Sequence, residues 1–210
     1  MSQDNKNFYQ FKISLNYSKP LIWRRIQVPR TYTFWEFSCA ILDAMGWSGG
    51  HLHGFTFSDK KNNWRMINIM VPSPDDEEYM DRIIDERTAK IADYFEKISK
   101  QCKYEYDFGD GWVHTVLLEK VLPMMPGQKY PKCLAGKRTC PPDDCGGIGG
   151  YERLIEILKK PKHPEHKDMM EWLCLDFVNE FDPEEFDPSK IYFSDPKEML
   201  KEFEDYTKQK

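Results

Sequence analysis

From Tyr9 to Tyr17 every second residue is large and apolar: Tyr9, Phe11, Ile13, Leu15 and Tyr17 share one face, and polar residues hold most of the other. A period of two cannot give a helix one buried face, so residues 8–17 are committed to a half-buried β-strand. Ser18-Lys19-Pro20 turns the chain into a second strand over 22–28, ended by Pro29. Thr33, with Glu36 three residues on, then makes a capping box for a helix carrying Phe34, Phe37, Ile41, Leu42 and Met45, closed by Gly46.

The same logic continues along the chain. Residues 51–58 and 64–71 read as strands around the polar loop 59–63, and residues 72–78 as a proline- and acid-rich loop. Ile91, Phe95 and Ile98 set a helix face within 88–100. Residues 103–108 and 112–121 form a hairpin across Asp110-Gly111, a dipeptide suited to a tight turn. An irregular stretch over 123–147 leads to helices near 150–160, 165–175 and 196–207. The order β-β-α-β-β-α-β-β followed by helices predicts an α+β fold: a mostly antiparallel sheet built from hairpins, with packed helices and a helical C-terminal region. The expected organisation is one α+β domain over 1–195 and a C-terminal helix with a charged tail over 196–210.

No apolar run approaches the roughly 18 residues of a membrane span, and the first residues lack a signal-peptide core, so the expectation is a cytoplasmic protein. In that compartment the six cysteines read as thiols or metal ligands rather than disulfides. The net charge of −5 is uneven: residues 163–210 hold 14 Asp and Glu against 6 Lys. Between Asp4 and Glu36 there is no acid, while Lys6, Lys12, Lys19, Arg24, Arg25 and Arg30 all occur. Within that basic hairpin, Lys19, Arg24, Arg25 and Arg30 are candidate nucleic-acid contacts; the alternative is a solvated face.

Three groups of residues carry chemistry. Cys133, Cys140 and Cys145 stand as Cys-x6-Cys-x4-Cys beside Asp143-Asp144 and a glycine run, which suits zinc or another divalent metal if a fourth ligand comes from elsewhere, or a tight loop holding buried thiols. His51 and His53 fall on one side of a strand, because side chains alternate with period two, so they can chelate a metal or hydrogen-bond internally. Asp107, Asp110 and His114 flank one turn; with Asp143 and Asp144 they are the candidate catalytic residues of a hydrolytic metal centre. Turn chemistry explains Asp110 equally well, and His114 shares a face with Trp112, Val116 and Leu118 as a core histidine does.

Several segments occur together in one known order: Leu21-Ile-Trp-Arg-Arg-Ile-Gln-Val-Pro29, Met45-Gly-Trp-x-x-x-His-Leu-His53, Tyr106-Asp-Phe-Gly-Asp-Gly-Trp-Val-His114, Cys140-Pro-Pro-Asp-Asp-Cys-Gly-Gly147, and Trp172 followed by Phe181-Asp-Pro-Glu-Glu-Phe-Asp187. On these motifs, over roughly residues 8–193, the chain resembles the plasmid pRiA4b ORF-3-like family. The resemblance implies an α+β domain found on mobile elements; some relatives carry a transposon-passenger or resolvase-like label, and no serine-nucleophile pattern supports that here. Two positions depart from the family pattern, Gly54 and Asp143, each where a Glu is usual. The functional expectation is a mobile-element-associated binding module contacting nucleic acid or a protein partner, with no membrane role. The alternative is a metal-dependent hydrolase or nuclease built on the His/Asp residues.

Overall fold

The computed structural model describes residues 7–72, 83–124 and 127–207. Its strands are β1 (Asn7–Leu15), β2 (Trp23–Pro29), β3 (His53–Asp59), β4 (Arg65–Met70), β5 (Ile83–Asp85), β6 (Gln101–Tyr106), β7 (Trp112–Pro123) and β8 (Lys132–Lys137). Its helices are α1 (Phe34–Met45), α2 (Ile91–Phe95), α3 (Gly147–Leu158), α4 (His166–Trp172) and α5 (Pro196–Thr207). All eight strands join one sheet in the order β5-β4-β3-β6-β7-β1-β2-β8, antiparallel throughout except for the short β4–β5 pair. The α+β class expected from the hairpin pattern is what the chain adopts.

The period-two pattern sets the sheet's two faces. Tyr9, Phe11, Ile13 and Leu15 of β1 are fully buried, as are Phe55 and Phe57 of β3 and Tyr104 and Tyr106 of β6. Helix α1 lays Phe34, Phe37 and Ile41 onto that face, with Phe37 against Phe11 (ring centroids 4.5 Å) and Phe34 against Phe55 (4.9 Å). The capping box forms as read: Thr33 Oγ1 accepts the Glu36 N–H, and the Glu36 carboxylate accepts the Thr33 N–H at 2.7 Å. The C-terminal helix α5 covers α1 in turn: Phe203 meets Trp35 (5.4 Å), whose indole N–H donates to the Pro196 carbonyl.

Three expectations change. The helix read over 88–100 shortens to the five residues of α2, because the segment must turn back into β6 at Gln101; Ile98 and Ser99 bond the Tyr94 carbonyl in a closing turn. The stretch 123–147 is not wholly irregular, since β8 pairs there with β2. Its glycine hides the strand pattern but is required: a Cβ on Gly136 would stand 2.5 Å from the Phe186 ring and 2.8 Å from the Trp23 carbonyl. β5, too short to carry a pattern, was not expected. Most of the loop expected over 72–78 and Lys6 lie outside the described residues.

The far end of β1 is tied to α2 by charge. Arg30 donates two hydrogen bonds to the Glu96 carboxylate (2.8 and 3.0 Å), which also accepts the Tyr9 hydroxyl. The Arg30 hydrogen bonds, helped by Tyr9 and opposed by partial burial, lower the Glu96 carboxyl from its ordinary 4.5 to about 2. A carboxyl depressed on folding stabilises the protein above its unfolded value and loses that contribution as the pH falls through the folded one. Solvent screening of this part-exposed pair holds the contribution to about 1 kcal/mol. Glu96→Gln is therefore expected to be about 1 kcal/mol less stable at pH 7, with the gap to the unmodified chain closing between pH 5 and about 2. Urea unfolding across that range tests it, and pH profiles that run parallel would refute it.

Candidate metal centre

Three loops meet at one end of the sheet: the link from α1 to β3, the β6–β7 turn, and the segment leading into α3. Asp107 opens the turn with a left-handed backbone (φ 54°). Its N–H donates to the Leu52 carbonyl and its carbonyl accepts the Gly111 N–H. Its Oδ1 accepts the N–H groups of Gly109 and Asp110 (2.9 and 3.3 Å), a side-chain turn that leaves Oδ2 free. That oxygen lies 3.7 Å from His51 Nδ1, and Asp144 Oδ1 lies 3.3 Å from His51 Nε2. Among the described residues, His51, Asp107 and Asp144 are the one set of three or more His, Cys, Asp or Glu side chains offering ligand atoms all within 4.8 Å of one another. The side chains grade outward, from 12% exposed at Asp107 through 30% at His51 to 71% at Asp144, so the cluster opens to solvent on one side.

The flanking carboxylates brace the loops. Asp143 Oδ2 accepts both the hydroxyl (2.8 Å) and the N–H of Ser48. Asp110 Oδ2 accepts the Gly146 N–H at the start of α3 (3.0 Å). Burial, together with the Asp143 charge, holds the Tyr106 hydroxyl protonated beside them. The glycine run before α3 serves this packing: Gly147 has φ +68°, and a Cβ there would stand 2.5 Å from the Asp110 carbonyl oxygen.

The structure separates the two histidines that period-two reasoning pairs. β3 begins at His53, so His51 belongs to the preceding loop and the alternation does not reach it. His53 turns inward, its Nε2 2.9 Å from Oε1 of the fully buried Glu86. Burial opposes the charged imidazole, but the Glu86 charge and hydrogen bond outweigh it and raise the His53 pKa. His114 lies in the core beside Trp47 and Tyr104, and burial pushes it down to about 4, so it stays neutral.

Nor do the cysteines gather. Cys133 Sγ points to the Ala135 carbonyl (3.7 Å), and Cys133, Cys140 and Cys145 form no ligand set with one another among the described residues. Burial raises all three thiols, Cys145 to about 12, which holds them protonated. The basic hairpin is also largely consumed. Arg24 is 1% exposed and donates to the carbonyls of Ala44, Trp23 and Lys137, so it is a core residue and not a surface contact. Arg25 is paired with Glu119 (2.7 and 2.8 Å) and Arg30 with Glu96. Lys19 alone of the four candidates is exposed and without an ion pair among the described residues. Sequence reading missed Glu86 and Ser48; Ser48 sits at an unassigned position of the Met45–His53 motif, and nothing local marks Glu86.

The model of the plasmid pRiA4b ORF-3-like protein family matches residues 7–190. An uncharacterised protein, y4hQ, from Sinorhizobium fredii is 34% identical over 164 residues, 78% of this chain and 79% of that protein. The crystal structure of MM3350, a protein of unknown function from Methanosarcina mazei Go1, is similar with a TM-score of 0.78 and 41% identity. It covers 89% of this chain and 98% of the other.

Gly147→Ala is expected to lose roughly 1–3 kcal/mol, through left-handed strain and displacement of the Asp110 turn. Gly149→Ala, where an added Cβ meets nothing within 4 Å, is expected to be neutral or to gain up to about 1 kcal/mol of helix stability. Thermal unfolding of the two variants checks the contrast, and equal shifts would remove the packing account of the glycine run.

Proposed function

The chain belongs to the plasmid pRiA4b ORF-3-like family, and on that footing we propose that it is a divalent-metal protein whose centre is His51, Asp107 and Asp144. The observation that carries this reading is the convergence of one imidazole and two carboxylates from three separate loops, with their ligand atoms within 4.8 Å. An imidazole with two carboxylates suits a borderline-to-hard cation such as Mn²⁺ or Zn²⁺. Three protein ligands leave coordination positions for water, as catalytic rather than structural sites do. A cation held by these three side chains would supply Lewis acidity and an activated water for hydrolysis.

The chain's own part is to hold the ligands ready. Asp107 is fixed by its side-chain turn and by the Leu52 carbonyl, so its free oxygen stays aimed at His51. Asp143 and Ser48 hold the loop that carries Asp144 against the end of α1. Oriented ligands of this kind lose less entropy on binding a metal than floppy ones do.

Calorimetric titration with Mn²⁺ and with Zn²⁺ tests the proposal. Binding at 100 times the dissociation constant should stabilise the fold by about 2.7 kcal/mol. His51→Ala and Asp107→Asn should each weaken binding by at least roughly 10- to 100-fold, while Cys140→Ser leaves it unchanged. A folded, unmodified protein that gives neither binding heat nor a thermal shift with either metal refutes the reading.

A further inference from the structure

The helices cover one face of the sheet; the other carries a pattern that the metal centre does not use. One row of directly paired residues crosses all eight strands: Ile83, Asn68, Thr56, Lys103, Thr115, Ser14, Trp23 and Lys137. Every one of them is half-buried or exposed, whereas their chain neighbours on the helix side are largely buried. In the adjacent row, Leu117, Lys12 and Arg25 stand side by side on β7, β1 and β2. The side-chain contacts of this face are with one another: Thr56 to Asn68, Thr115 to Asn16, Lys103 to Glu105, and Arg25 to Glu119.

Trp23 is the aromatic residue of the row that crosses all eight strands. The Lys12 ammonium lies 5.3 Å and the Arg25 guanidinium 5.2 Å from its ring centre, and Lys137 stands directly across from it on the edge strand β8. Glu105, Glu119 and, on β5, Asp85 are acids of these two rows' strands on this face, and they are already paired with Lys103, Arg25 and Arg87. Lys12 and Lys137 have no ion-pair partner among the described residues, which leaves the patch net positive around the indole. The acidic C-terminal segment contributes α4 and α5, which pack on α3 and α1, while its 188–190 turn packs against β8 and its Glu184 pairs with Arg138.

We propose that this open face binds single-stranded nucleic acid, with a base stacked on Trp23 and backbone phosphates held by Lys12 and Lys137. A flat sheet presenting an aromatic platform between cations fits an unstacked base and its flanking phosphates. A duplex hides its base faces, and an acidic peptide offers nothing flat to the indole. The residues differ from the basic-hairpin candidates because register, not sequence proximity, brings Lys12, Trp23 and Lys137 together across three strands. RNA and DNA share the recognised chemistry.

Fluorescence anisotropy with labelled oligo(dT) and oligo(rU) of about 12 nucleotides tests this, in chelator so that the outcome is independent of the metal centre. The expected result is binding at low salt to one or both, weaker binding to a duplex of the same length, and a log–log salt slope near −1.4 for two phosphates. The better-bound oligomer identifies the class of strand. Trp23→Ala should weaken binding roughly tenfold, with Trp23→Phe retaining most of it, and joint Lys12→Ala and Lys137→Ala should flatten the salt slope. The proposal is overturned if neither oligomer binds the folded protein at low salt, or if the Trp23 and lysine variants, folded by circular dichroism, bind as the parent does. It is equally overturned if heparin or duplex competes as well as the single strand, which would mark a polyanion surface only.

Discussion

A guanidinium that keeps its charge is buried between the sheet and its main helix, and the architecture closes around it. Arg24 has almost no exposed surface, and removing such a cation from water is unfavourable unless its donors are satisfied. Its Nε and Nη1 donate to backbone alone: the carbonyl of Ala44 at 2.8 Å, and those of Trp23 and Lys137 at 2.9 and 3.0 Å. The Ala44 carbonyl belongs to the last turn of α1, where unpaired carbonyls and the negative end of the helix dipole collect. The Phe186 ring covers the group from outside at 3.9 Å. One side chain thus ties α1, β2, β8 and the C-terminal segment, and the end of α1 so fixed is where the loop to His51 begins.

The candidate metal centre depends on that anchoring through a chain of hydrogen bonds. Trp47, just beyond α1, donates its indole N–H to the Pro141 carbonyl, and Ser48 reaches Asp143. The loop that carries Asp144 is therefore attached to the end of α1, while the turn that carries Asp107 is attached through Leu52 and, by way of Asp110, to the start of α3. Two of the three ligand residues hold positive φ angles, a conformation Asp tolerates better than most residues, and the turns that impose it aim their carboxylates at one imidazole.

Much of this was legible in the chain. Alternation in β1 as far as Leu15, the Thr33–Glu36 box and the β6–β7 hairpin depend on neighbours in sequence, and they folded as read. Tyr17, read onto the same buried face, instead lies in the turn beyond the strand, 75% exposed with φ 68°. Asp107 and Asp144 were among the candidates because the motifs that carry them are dense in turn residues. What escaped reading depends on partners far along the chain. Nothing local distinguishes Arg24, with its backbone acceptors 20 and 113 residues away, from the salt-bridged Arg25 beside it. His51 and His53 separate because the strand starts between them, a boundary that local pattern places only to within a few residues. The cysteines misled through their spacing: a dense Cys/Gly loop reads as a metal knuckle, whereas its glycines let α3 approach the β6–β7 turn and its thiols are held protonated by burial.

The two proposed surfaces belong to one continuous sheet. Lys103 belongs to the open row that contains Trp23, and Asp107 follows it by four residues, just beyond the end of the same strand. At a strand's rise that separation is ~13 Å along the strand, and Trp23 stands three strands, ~14 Å, across the sheet from Lys103. A single strand crossing the open face toward β6 therefore runs toward the rim where Asp144 is most exposed. The buried pair of His53 and Glu86 stands on the other side of β3 from that path and contributes no free charge to it. The helix-covered face supplies rigidity, and the turns at its edge supply ligands. The face proposed to bind nucleic acid is one that a one-sided sheet leaves available without any added domain.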